Sequence, residues 1–342
     1  MPTQVKTLFL TDRSPHHQAA ALRAAPPLLD ITMLRRPTRD RLLAHLAETE
    51  ILISERADQI DRELIAAAPH LRLIQRLGSL THDIDVAAAT ARGIPVCYWP
   101  IAGCIMVAEH MVLQMLVLVK RLLSVHAVAV AAADWERPSL RTDENTFAYN
   151  WSKQTDIVGL YGQTIGILGF GEIGAELARR LQPFQPSCVR YHKRHPLPAT
   201  VEETLGITYA PVAELIAQST FLCALLPFTP ETDQSLTAET FAAMPQGAFL
   251  VSCGSGSVID EGALATALAS GHLAGAALDT YEFEPLQPEN PLVQLARQGT
   301  INLLLTPHTA AGAASNRQPS SRGAEYTNIL NFLAGEPLIN RV

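Results

Sequence analysis

Thr164-Ile165-Gly166-Ile167-Leu168-Gly169-Phe170-Gly171-Glu172-Ile173-Gly174 decides the fold of this chain. Thr164–Leu168 is apolar, carries β-branched residues and reads as a buried parallel strand. A tight turn follows, with Gly169, Gly171 and Gly174 in G-x-G-x-x-G spacing. Ala175, Leu177, Ala178 and Leu181 then recur at helical spacing. Strand, glycines and helix in that order are the context in which the triplet becomes a dinucleotide fingerprint rather than an incidental βα turn. The glycines serve the turn, the approach of backbone to a pyrophosphate, and close helix–strand packing. Free N–H groups at the helix start would face the pyrophosphate. Gly169, Phe170, Gly171, Glu172, Ile173 and Gly174 are therefore the expected cofactor-binding turn.

About twenty residues further on, such folds usually carry an acid for a ribose hydroxyl. Here Cys188-Val189-Arg190-Tyr191 reads as the second strand and runs into His192-Lys193-Arg194-His195. Lys193 follows Gly174 by 19 residues, and no acid stands at this strand end. A Lys-Arg pair suits a 2′-phosphate, with Arg194 able to grip two of its oxygens. The plainer alternative is a solvated basic loop. His192, Lys193 and Arg194 thus predict NADP(H) in preference to NAD(H), with NAD(H) still possible.

The 342 residues predict two domains. Hydrophobic residues make up 48% and charged residues 17%, as in a globular α/β protein, which argues against disorder. A net charge of −7 argues against nucleic acid or an anionic membrane as the main partner. Five scattered cysteines without metal-type spacing read as reduced thiols of a cytoplasmic protein, with no metal site. Residues 1–12 carry no secretory apolar core.

In the first part, Val5–Leu10, Ile51–Ser54, Leu71–Leu77 and Ile94–Tyr98 read as strands. Helical stretches about Ala19–Ala24, Arg39–Glu48, Gln59–Ala68 and Asp85–Ala91 lie between them. That alternation predicts a parallel, doubly wound sheet whose ligand loops follow the strands. Of these loops, Ser54-Glu55-Arg56 offers Arg56 to an acidic substrate, or as a plain surface arginine. Ile105–Val130 is apolar enough to raise a membrane span. Glu109, His110, Gln114, Lys120 and Arg121 interrupt it, so one buried or interface helix is expected. Ala131–Tyr161, with Trp135 and Trp151, reads as a looser polar connection.

Beyond the fingerprint, Phe221–Leu226, Ala248–Cys253, Ala274–Asp279 and Ile301–Leu305 read as strands. Val212–Gln218, Ala238–Ala243 and Glu261–Ala269 read as helices. Gln318–Ala334 has helical spacing and is expected to return to the first domain. The expected division is 1–103 plus 309–342 for a discontinuous substrate domain, and 104–308 for the dinucleotide domain.

The chain resembles the D-isomer-specific 2-hydroxyacid dehydrogenase family, which includes glyoxylate/hydroxypyruvate reductases, phosphoglycerate dehydrogenases and phosphite dehydrogenases. The resemblance rests on Val107-Ala108-Glu109-His110, the fingerprint, Leu226-Pro227-Phe228-Thr229 with Thr232, and Asp260-Glu261. It continues through Asp279-Thr280-Tyr281-Glu282-Phe283-Glu284-Pro285, Thr306-Pro307-His308 and Asn328-Ile329-Leu330 to Asn340. It implies two Rossmann-like, doubly wound α/β domains with a cleft between them, a homodimer, a small 2-hydroxy or 2-oxo acid substrate, and an Arg–Glu–His catalytic set. Glu284 and His308 fall on the catalytic pair, and Asp279 on the aspartate that holds the nicotinamide carboxamide. Leu226, Pro227, Thr232, Cys253 and Gly254 complete the cofactor wall that the resemblance implies.

The chemistry suits those residues. A protonated His308 can donate to the oxygen of a carbonyl under reduction, and neutral His308 can take a hydroxyl proton in reverse. Glu284 on the other ring nitrogen would fix the tautomer and favour the charged ring. The plainer alternative is a core histidine after a strand and an exposed acid before a proline. Ser255 departs from the pattern: it occupies the position of the catalytic arginine, 29 residues before Glu284. Losing such a charged contact commonly costs about 2–5 kcal/mol, or about two to four decades of rate. Turnover of ordinary 2-hydroxy acids is therefore open, with a cofactor sensor or sequestering protein as the alternative. Arg317, nine residues past His308, is the candidate replacement cation, at a separation where phosphite dehydrogenases carry an active-site arginine. A solvent-facing arginine is its plainer reading.

Overall fold

The computed structural model describes residues 4–55, 57, 59–133, 138–312 and 319–342, with backbone only for 319–321. It divides into two compact units, Met1–Ile105 with Ala311–Val342, and Met106–Ala310.

The first unit is built on five parallel strands in the order β2-β1-β3-β4-β5. These are β1 (Val5–Thr11), β2 (Leu29–Arg35), β3 (Ile51–Glu55), β4 (Leu73–Leu77) and β5 (Val96–Trp99), alternating with α1 (Pro15–Ala24), α2 (Arg39–Leu46), α3 (Arg62–Ala66) and α4 (Val86–Ala91). β1, β3 and β4 form the middle of the sheet and are almost entirely buried. β2 is an addition to the expected set. It is an edge strand whose outer residues are polar or half-exposed, so it lacks the apolar run of its neighbours. One layer of core lies between the sheet and α2, α3 and α4, through Leu42, Leu46, Leu64, Ile65 and Ala89. The other takes Tyr326 and Ile329 from the returning segment against Phe9, Ile51, Ile53 and Leu73.

The chain enters the second unit within α5 (Ala102–Val119), and α6 (Leu122–Ala131) follows. The single helix expected over Ile105–Val130 is therefore two, because Arg121 adopts the left-handed region at φ 51° and ends the first. α5 is the one helix among the described residues long and apolar enough to cross a membrane. It buries Val107, Ala108, Met111, Gln114, Met115 and Leu118, a stripe at helical spacing. α6 buries none of its residues.

Seven parallel strands come next, in the order β12-β11-β10-β9-β6-β7-β8. They are β6 (Thr164–Leu168), β7 (Cys188–His192), β8 (Thr208–Tyr209), β9 (Phe221–Ala224), β10 (Ala248–Ser252), β11 (Leu273–Leu278) and β12 (Leu303–Leu305). The helices between them are α7 (Glu172–Leu181), α8 (Ala199–Leu205), α9 (Val212–Gln218), α10 (Ala238–Ala243), α11 (Glu261–Ala269) and α12 (Pro291–Arg297). α8, β8 and α12 are additions to the elements expected from the sequence. α8 and β8 are short and mix β-branched with polar residues. α12 does carry a start signal, Asn290 at its N-cap followed by Pro291. Fully buried Leu222, Leu250 and Leu264 anchor the core of this unit, each side chain contributing about 1.5–3 kcal/mol on burial. A 3-10 turn (Pro319–Tyr326) and α13 (Thr327–Ala334) close the chain back on the first unit, where a continuous helix was expected.

The strand order reverses at β6, which pairs with β7 on one side and β9 on the other. A crevice outside the carboxyl ends of β6 and β9 is where a sheet of this kind binds its ligand.

Candidate active site

The expected site residues on the described part of the seven-stranded unit lie at the carboxyl ends of its strands, in the loops beyond them, or, for Glu172, Ile173 and Gly174, in the first turn of α7. β6 ends at Leu168, and Gly169 turns the chain at φ 91°. A Cβ there would sit 2.7 Å from the Leu225 carbonyl carbon and the Leu226 nitrogen, so the turn and the end of β9 touch. Gly171 is the N-cap of α7 and supplies no side-chain cap. The first turn of α7 thus keeps backbone donors for an anion, and no side chain at Gly171 obstructs them. These features fit the pyrophosphate of a dinucleotide. Phe170 and Gly174 are buried beneath the turn, as is Glu172, while Ile173 is half-buried.

The Gly169 amide donates to the carbonyl of His192, 3.1 Å away, which joins this turn to the end of β7. There Lys193 is half-buried and Arg194 exposed. His192 Nδ1 lies 2.9 Å from the Ala210 carbonyl. The loop is closed by Tyr191, whose hydroxyl donates to Glu202 at 2.7 Å and accepts the Leu197 amide at 2.6 Å. Burial, with the Glu202 carboxylate beside it, pushes the Tyr191 phenol above its ordinary value, so it stays a donor.

After β9, Thr232 folds its own loop: its hydroxyl donates to the Pro227 carbonyl at 2.6 Å. The Leu226 carbonyl accepts the Ser255 amide at 2.9 Å, tying that loop to the end of β10. Cys253 is half-buried, its sulfur 3.3 Å from Gln114 Oε1 on α5. Desolvation, then the Asp279 charge, raises its thiol well above the ordinary range, so it remains a thiol. The Gly254 carbonyl accepts the Thr280 hydroxyl at 2.8 Å. Ser255 presents its hydroxyl to that of Ser257 at 3.3 Å. Between them Gly256 lies flat on Tyr281: a Cβ would fall 2.0 Å from the Tyr281 carbonyl carbon.

The loops beyond β11 and β12 carry the expected catalytic pair. Glu284 takes the Tyr281 amide on one oxygen at 3.0 Å, and His308 Nδ1 on the other at 2.6 Å. The His308 side chain is 59% exposed and that of Glu284 35%, so the pair is open to a reactant. Asp279 is fully buried. It accepts the Thr306 hydroxyl (2.6 Å) and the Thr309 amide (2.9 Å) on one oxygen, and the Ala310 amide (2.8 Å) on the other. A cavity of about 370 Å³ beside the pair is lined by Tyr281, Glu284, Pro285, Leu286, Pro307 and His308.

Contacts therefore run from Gly169 through Leu226 to Ser255, and from its neighbour Gly256 through Tyr281 and Glu284 to His308. Tyr281 is a site residue that motif spacing alone does not single out, although its hydroxyl reaches the carbonyls of both Leu278 and Thr306 and so spans the two strand ends. Its place in the Asp279–Pro285 run is the available signal. Arg317, Arg56 and Trp135 lie outside the described residues. No group of three or more His, Cys, Asp or Glu among the described residues could hold a metal ion.

The chain is similar to known proteins over most of its length. Residues 129–310 match the family model described as D-isomer specific 2-hydroxyacid dehydrogenase, NAD binding domain. D-3-phosphoglycerate dehydrogenase of Mycobacterium tuberculosis (strain ATCC 25618 / H37Rv) is 32% identical over 301 residues, 88% of this chain and 52% of that protein. The chain thus spans about half the length of that relative. Glyoxylate reductase of Korarchaeum cryptofilum is 31% identical over 303 residues, 88% of this chain and 84% of its own length. Among solved structures, a glyoxylate reductase from Paecilomyes thermophila has a TM-score of 0.52 at 28% identity, covering 100% of this chain and 99% of that one.

Proposed function

Because the chain belongs to the D-isomer-specific 2-hydroxyacid dehydrogenase family, we propose that it is an oxidoreductase acting on a small 2-oxo or 2-hydroxy acid with NADP(H). The observation that carries this reading is the 2.6 Å contact between His308 Nδ1 and Glu284 at the strand ends of a dinucleotide-type sheet. With Nδ1 donating to the carboxylate, Nε2 is the ring nitrogen left for the reactant. It gives a proton to the carbonyl oxygen in reduction and takes the hydroxyl proton in oxidation. The nicotinamide cofactor supplies or accepts the hydride. The α7 N-terminus binds its pyrophosphate, and Lys193 and Arg194 answer its 2′-phosphate. In this reading 106–310 is the dinucleotide domain and 1–105 with 311–342 the substrate domain. The free cysteines suit a cytoplasmic protein, and the uncovered apolar surface of α6 suits a homodimer.

Ser255 favours a second reading, a cofactor-binding relative with little turnover, because a neutral hydroxyl stands where the family resemblance puts a guanidinium. Arg317 is the candidate to answer the substrate carboxylate in its place. Steady-state reduction of a panel of 2-oxo acids with NADPH separates the two readings. Turnover that His308→Ala abolishes, with NADPH binding retained, supports the oxidoreductase. No turnover until Ser255→Arg is introduced supports the cofactor binder.

A further inference from the structure

Glu261 stands in the first turn of α11, only 7% exposed, and has no part in the reaction above. Its neighbour Asp260 is the N-cap, accepting the Ala263 amide at 2.9 Å, so the helix start is already capped without it. The Glu261 carboxylate instead turns to the loop after Tyr281. One oxygen accepts the Glu282 amide at 3.1 Å, and the other accepts the side-chain amide of Asn290. Asn290 in turn caps α12 through the Leu292 and Val293 amides. One buried carboxylate therefore pins both ends of the 282–290 loop, and Glu284 lies inside that loop.

Glu261 is an expensive way to gain stability. Burial pushes its carboxyl above the ordinary range, against the two hydrogen bonds that favour the ionised form, and Glu282 adds like charge. A carboxyl with a raised folded value costs folding free energy when held ionised at neutral pH. Glutamine would remove that cost at the same shape. It could not accept from both donors, because its own NH2 would meet one of them.

We propose that Glu261 is a positioning residue: by fixing the 282–290 loop it sets where Glu284 meets His308, and so the tautomer and orientation of that ring. The proposal rests on Glu284 and His308 being the proton-handling pair.

The test compares the full-length protein with its Glu261→Gln and Glu261→Ala variants by three measurements. These are melting temperature, the 15N signals of the His308 ring without ligand, and kcat and KM for a 2-oxo acid with NADPH. For Glu261→Gln we expect melting within about 3 °C of the parent. The ring signals should move toward mixed tautomers, and kcat should fall about 10–100-fold with KM little changed. Ring signals matching the parent overturn the proposal, whatever happens to kcat. So does a fall in kcat that only follows loss of the folded protein. If the parent turns over no acid, the proposed reaction fails by itself, and the ring signals still decide the role of Glu261.

Discussion

His308 holds a backbone φ of 52°, a conformation that costs a residue with a Cβ roughly 1–2 kcal/mol. Asp279 sustains it by gripping the chain on both sides, at Thr306 and at Thr309 and Ala310. The buried aspartate that the family resemblance assigns to the carboxamide thus also holds the histidine turn. At the other end of the crevice, the NADP(H) preference proposed above rests on Lys193 and Arg194. Replacing Lys193 by Asp and Arg194 by Ala should weaken NADPH by about 2 kcal/mol, the scale of a charge-assisted hydrogen bond, which is about 30-fold. NADH should be nearly spared, and titration calorimetry with both cofactors measures the difference. Equal losses for the two would remove this pair from phosphate recognition. His308 and Glu284 were legible in the sequence as residues of the right chemistry, and they do touch. The supports of that pair were not, because the hydrogen bonds that Asp279 accepts and Tyr281 donates, with backbone groups some 25 to 31 residues away, leave no mark in local spacing.

Helices and strands with one strong apolar pattern could be read from the sequence, and α9, α10 and α11 carry the expected boundaries. Elements whose residues face two ways could not, as with edge strand β2 and two-residue β8. The break after α5 was hidden because apolar residues run on both sides of Arg121, and a left-handed residue interrupts direction without interrupting composition. Beyond the break, α6 buries no residue against its own chain. Its Leu123 is 55% and Val130 70% exposed, and in the connection after it Phe147 is 72% and Tyr149 83% exposed. If a second copy covers this face, Leu123→Asp with Val130→Asp should convert a dimer into a monomer while the thermal transition of each subunit persists. Sedimentation equilibrium reads the change. A monomeric parent, or a variant that stays dimeric, would refute the assignment.

The five-stranded unit is completed by residues that come after the other unit in sequence. Arg322 joins Glu55 at 3.1 Å and Glu325 at 2.7 Å, and Arg13 joins Glu55 at 3.2 Å. Desolvation works to raise the Glu55 carboxyl, but Arg322 and Arg13 outweigh it and hold it below its ordinary 4.5. Its contribution is therefore fully present above about pH 4.5 and is lost as the pH falls through the depressed value. Glu325 runs the other way: burial raises its carboxyl, so its contribution fades as the pH rises through that raised value. Arg322→Ala leaves the two carboxylates facing each other and should cost this unit about 3–5 kcal/mol at neutral pH. Hydrogen exchange in β1 and β3 measures that loss; protection equal to the parent would show that the cluster carries no stability. The Tyr326 hydroxyl bonds to the Ala21 carbonyl, and Val342 and Asn340 pair with Val96 and Tyr98. A ribosome makes all of 106–310 before Arg322, Tyr326, Asn340 or Val342 exists. The contiguous unit can settle as it emerges, while the earlier-made sheet waits with the seat of Tyr326 open to water. During that interval the nascent chain carries bare apolar surface of the kind that makes folding intermediates prone to aggregate, and translation past α13 covers it.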